Sequence, residues 1–63
     1  MKKSDFKEAI KDLKLNDAVH IELRGYYENY TVTGSLFTLT GDEIGISEGV
    51  WHSYRRVIAI KKM

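Results

Sequence analysis

A chain of 63 residues makes one domain, and so short a chain buries only about 60% of its unfolded surface, which limits its stability. It has no cysteine, which excludes disulfides, thiolate metal sites and a cysteine nucleophile, and no apolar run approaches the roughly 20 residues of a membrane span. Ten basic residues against nine acidic ones leave a net charge of +1, so any case for a nucleic-acid partner must rest on local clustering.

Lysines open the chain but no apolar stretch follows them, so no signal peptide is read and the cytoplasm is the expected compartment. Residues 4–14 are predicted helical. Ser4 is the expected N-cap, Asp5 complements the helix dipole, and Phe6, Ala9, Ile10 and Leu13 fall on one face. A helix this short needs a docking surface, and only the following sheet offers one. Leu15 is expected to pack, and Asn16-Asp17 to turn into the first strand.

The first strand is predicted over about 18–24, where Val19, Ile21 and Leu23 share one face and His20, Glu22 and Arg24 the other. Gly25 to Asn29 is the hairpin loop, crowded by Tyr26, Tyr27 and Tyr30. One long strand is predicted over 30–39. Val32 and Leu36 share a face, but Leu39 falls out of phase. A bend or bulge near Phe37-Thr38 must absorb the slip, and Gly34 admits a close approach. Gly41-Asp42 forms the next turn. Strands follow over 43–47, where Gly45 is expected to leave its outer side bare, and over 50–54, with Glu48-Gly49 as the turn between them. A 3₁₀-like turn over Ser53 to Arg56 resets the phase before a fifth strand over 57–61. Short strands with frequent turns point to a small closed barrel, which removes exposed sheet edges.

Leu13 and Leu15, Val19-x-Ile21-x-Leu23, Gly25, Val32-x-Gly34-x-Leu36 and Leu39 resemble the pattern of SH3-like small barrels, and within them the Sm-like proteins. The ending Val57-x-x-Ile60 is similar to that group and to the YolD-like proteins. The resemblance implies a mainly β fold: a five-stranded barrel with one N-terminal helix packed across it. Ring assembly is typical of that group. Thr40 stands where the Sm-like RNA-binding Asp aligns, and Glu43-Ile44-Gly45 supplies no Asn, so no RNA-binding residue carries over.

Trp51, His52, Tyr54, Arg55 and Arg56 make the densest aromatic and basic cluster. Aromatic faces stack on bases and arginines pair with phosphates; the same residue types dominate protein interfaces. The competing reading is that Trp51 covers one end of the fold and the arginines keep a turn soluble. Tyr26, Tyr27 and Tyr30 read either as contact residues on a rigid hairpin or as cross-strand packing. His20 reads as a surface histidine, since only Glu22 neighbours it on the same face. Asp42, Glu43 and Glu48 sit in turns, the serines lack a nucleophile elbow, and Gly41 to Gly45 lacks the lysine and helix of a phosphate loop. Lys2, Lys3, Lys7, Lys11 and Lys14 make a solvated face or a weak phosphate-facing one.

The expected function is a non-catalytic interaction module with a protein partner or a second copy of itself. Nucleic-acid binding is the alternative, and no cofactor, metal, membrane or small-molecule substrate is expected. The candidate surface comprises Arg24, Tyr26, Tyr27, Tyr30, Trp51, Tyr54, Arg55 and Arg56. The small size suits a bacterial or phage accessory protein.

Overall fold

The computed structural model describes residues 1–47 and 50–63. The predicted Glu48-Gly49 turn lies outside them. In chain order the elements are α1 (Lys3–Ile10), β1 (Ala18–Leu23), β2 (Tyr30–Ser35), β3 (Thr38–Leu39), β4 (Glu43–Ser47), β5 (Val50–Ser53), a 3₁₀ turn (Tyr54–Arg56) and β6 (Val57–Lys62).

The architecture corrects the barrel expectation. Among the described residues, six strands form two antiparallel three-stranded sheets, ordered β2-β1-β6 and β3-β4-β5, and no pairing there closes them into a ring. The single bent strand expected over 30–39 is two strands in different sheets. The cause is local. Both backbone groups of Leu36 are taken by the turn before β1, its N–H donating to the Asp17 carbonyl at 2.8 Å and its carbonyl accepting from Asn16 at 2.8 Å. Phe37 then donates its N–H to the Gly45 carbonyl at 2.8 Å, which commits the chain to the second sheet. The phase slip read from Leu36 and Leu39 is real, and it severs the strand rather than bending it.

The helix is shorter than predicted. Lys2, not Ser4, occupies the N-cap position, with no side-chain cap. Beyond Ile10 the Leu13 N–H returns to the Ile10 carbonyl at 3.0 Å, and an Asp17 carboxylate oxygen takes the Lys14 N–H at 2.9 Å. Asn16 has φ 77°, the left-handed conformation that asparagine tolerates, so Asn16-Asp17 is the turn into β1. Phe6 is fully buried, while Ile10 and Leu13 pack at the edge of the core. Leu15, expected to pack, is 56% exposed because it lies on the turn rather than on a helical face.

Val19, Ile21 and Leu23 are buried as alternation required, and with Phe6, Leu36, Ile44 and Val57 they make the core. Pairing along β1 shifts between Glu22 and Leu23, which face Ala59 and Val57 respectively. The extra residue on β6 is a bulge. It lets both Val57 and Ile60 turn to the core despite their spacing of three. The 3₁₀ turn expected to reset the phase is present, with the Ser53 hydroxyl oxygen accepting the Arg55 N–H. α1 docks against this turn and the start of β6, where the Met1 amino group donates to the Val57 carbonyl at 2.7 Å.

A Cβ on Gly34 would lie 2.6 Å from Ile46 Cγ2, so the close approach expected there is made by a side chain of β4. Gly45 is not bare. A Cβ there would meet the Val50 carbonyl oxygen at 2.7 Å and Trp51 Cδ1 at 3.1 Å.

Candidate interaction surface

The loop between β1 and β2 doubles back tightly: a Cβ on Gly25 would run into the Glu28 carbonyl oxygen. This leaves the two residues at the tip without a packing surface. Tyr26 and Tyr27 are 92% and 93% exposed, and their rings meet edge-on at 4.7 Å and 79°. Such a pair is a preferred aromatic geometry, so each ring restrains the other.

The loop is tied to the 3₁₀ turn. The Arg24 N–H donates to the Arg56 carbonyl at 2.7 Å. Arg56 Nη2 donates to the Arg24 carbonyl and to the Tyr30 hydroxyl oxygen, each at 3.3 Å. Between them lies an open crevice of about 390 Å³ lined by Arg24, Gly25, Tyr26 and Arg56. Neither guanidinium has a carboxylate partner among the described residues.

The dense cluster at 51–56 goes to separate places. Tyr54 packs its ring on Phe6, with centroids 6.0 Å apart, and is half-buried. The Arg55 guanidinium lies 5.5 Å and Lys3 Nζ 6.0 Å from the Tyr54 ring centre. Lys3 Nζ also meets Asp42 Oδ1 at 2.8 Å, which raises the lysine pKa and lowers that of the carboxyl. Sequence gave no signal for this pair, since its partners lie at opposite ends of the first two-thirds of the chain. Trp51 stands 58% exposed on β5 with its ring edge over Gly45. His52 points the other way, buried opposite Ile44, and burial followed by the Arg56 charge lowers its pKa.

Of the eight candidate residues, Arg24, Tyr26, Tyr27, Tyr30 and Arg56 are gathered around one loop. Tyr54 and Arg55 belong to a second group with Lys3, and Trp51 stands on β5 apart from both. Phe37 and Val50, not singled out in the sequence, are half-exposed apolar residues.

Several of the remaining candidates have structural partners among the described residues, while Glu48 lies outside them. His20 Nδ1 lies 2.9 Å from the hydroxyl of Thr33, its cross-strand partner. The Thr40 hydroxyl oxygen accepts the N–H groups of Asp42 and Glu43 at 3.1 and 2.9 Å, closing the turn before β4. Lys11 pairs with Glu8 along the helix. Among the described residues, no helix is long and apolar enough to cross a membrane. No protein-family model, curated protein or solved structure matches the chain.

Proposed function

We propose that the chain is a non-catalytic interaction module whose contacts are with protein, a second copy of itself foremost. The observation that carries this is the tip of the first hairpin, where two tyrosine rings are more than nine-tenths exposed yet held against each other. Rings restrained before contact lose little freedom on binding, and Tyr with Arg is the composition of interface anchors. Trp51, Val50 and Phe37 add exposed apolar area on and beside the second sheet. Sedimentation equilibrium tests the reading: the average mass rises with concentration above the 7.3 kDa monomer, and Tyr26→Ser with Tyr27→Ser removes the rise. A mass fixed at the monomer value at every concentration excludes self-assembly.

Nucleic-acid binding is the second reading. It is favoured by Arg24 and Arg56, two guanidinium groups without carboxylate partners beside exposed rings. Binding through them weakens steeply with salt, whereas apolar self-association does not.

A further inference from the structure

We propose that the crevice between the first hairpin loop and the 3₁₀ turn is a subsite for one nucleoside phosphate unit, with the phosphate on Arg24 and Arg56 and the base on the Tyr26 ring. This rests on the nucleic-acid reading above and goes beyond it by naming the unit recognised and the side chains that hold it.

The phosphate end is argued from the two guanidinium groups. Each carries five N–H donors in a planar fork that matches a phosphate edge to edge. Arg56 is fixed in place by its bonds to the Arg24 carbonyl and the Tyr30 hydroxyl, both made from Nη2. Its other donors stay available. The Arg24 side chain has no hydrogen-bond or ion-pair partner among the described residues. Two cations converge on one open crevice, and neither Glu22 nor Glu28 forms an ion pair with them. An arriving oxyanion thus displaces water, not a carboxylate.

The base end is argued from Tyr26. Its ring lines the same crevice, is 92% exposed, and has its tilt set by the edge-on contact with Tyr27. A base stacked on such a ring gains about 1–3 kcal/mol and needs no sequence-specific hydrogen bonds. The volume, about 390 Å³, lies at the small end of ligand sites, which suits one nucleotide and not a helical segment. Bases inside a duplex are already stacked, so the ligand is a single strand or a free nucleotide. An acidic peptide would use the arginines and leave the tyrosine ring without a role.

The test uses a labelled short oligothymidylate, followed by fluorescence anisotropy at about 50 mM salt, where phosphate contacts are strong. Arg24→Gln and Tyr26→Ser alter exposed side chains outside the core, so both variants are expected to keep the wild-type fold, checked by their amide spectra. Each weakens binding about tenfold or more, the loss expected for one stacked base or one charge-assisted contact. Amide shifts from thymidine 5′-monophosphate and from thymidine separate the sources of the unit. Shifts at Gly25, Tyr26 and Arg56 with the monophosphate and not with the nucleoside show that the free nucleotide suffices. Shifts with the oligonucleotide alone assign the site to a strand, and both results uphold it. Wild-type affinity in both variants overturns the subsite and leaves the nucleic-acid reading standing. Absence of any oligonucleotide binding removes both. A glutamate peptide that shifts the same amides equally in wild type and Tyr26→Ser overturns the proposal in favour of a carboxylate partner.

Discussion

Arg24 and Arg56 are bound to each other twice: the Arg24 N–H donates to the Arg56 carbonyl at 2.7 Å, and the Arg56 guanidinium donates back to the Arg24 carbonyl at 3.3 Å. The pair couples the end of β1, and with it the tyrosine loop, to the turn that precedes β6. Arg56→Ala removes the side-chain half and the bond to Tyr30 but spares the backbone half. The expected loss of stability is modest, about 0.5–1.5 kcal/mol, since the contacts are solvent-exposed. The amides of residues 25–30 should exchange with solvent faster while those of β1 do not. Unchanged exchange across the loop would show that the guanidinium tethers nothing.

Gly34 and Gly45 both refuse a Cβ, but at different cost. The obstacle at Gly34 is the Cγ2 methyl of Ile46, a β-branched side chain that must turn about χ1 to clear it; at Gly45 it is the backbone carbonyl of Val50, which cannot move without β5. Gly45→Ala should therefore cost about 1–3 kcal/mol, the range of an overpacked site, and Gly34→Ala clearly less. Urea midpoints of the two variants decide the order, and the reverse ranking would refute the packing described between β4 and β5.

Phe6 is the helix's one fully buried side chain, set against the Tyr54 ring. Truncation of a buried phenylalanine costs about 3–5 kcal/mol. A domain of this size holds only about 3–9 kcal/mol in total. Phe6→Ala should leave the chain partly or wholly unfolded at room temperature, and Phe6→Leu should fold with a lowered midpoint. Far-ultraviolet circular dichroism with a denaturant series reads both. A cooperative Phe6→Ala protein of near wild-type stability would mean that the helix docks by other residues.

His52 sets a pH dependence. Its pKa is lowered from the ordinary 6.5 by burial and then by the Arg56 charge. The unfolded chain therefore takes up a proton at a higher pH than the folded one. Stability is full above about 6.5 and declines as pH falls from there through the lower folded value. Thermal midpoints from pH 8 downward should fall in this window, and His52→Leu should flatten the fall. The lowered carboxyls of Asp17 and Asp42 act separately, their stabilisation fading only below the ordinary 3.8. A midpoint independent of pH between 7 and the folded His52 value would contradict the burial of this ring.

The alternating pattern Val19, Ile21 and Leu23 announced β1 and its buried face, and the Leu36–Leu39 spacing marked where the chain leaves one sheet for the other. Local pattern did not reveal that this break ends the strand. The outcome depends on the Asn16-Asp17 turn reaching Leu36, a contact made across the fold. The helix end was misplaced for a related reason: Leu13 fits the helical stripe and does reach the core, but through a turn closed by its N–H on the Ile10 carbonyl, after which the Asp17 side chain takes the Lys14 N–H. Within the candidate surface, the clustering of tyrosines around Gly25 was visible in the sequence. The convergence of Arg24 with Arg56 was not, because it follows from β1 pairing with β6. In the 51–56 cluster, strand alternation alone separates Trp51, which faces outward, from His52, which faces inward, whereas the docking of Tyr54 on Phe6 depends on where the helix packs.

Sedimentation equilibrium over a wide concentration range, wild type beside the Tyr26→Ser, Tyr27→Ser double variant, addresses the contact surface most directly. The expected result is a wild-type mass that climbs above 7.3 kDa with concentration and a double variant that stays at that value. Equal climbing in both proteins, or a wild type that never leaves the monomer mass, would contradict a self-associating surface at the hairpin tip.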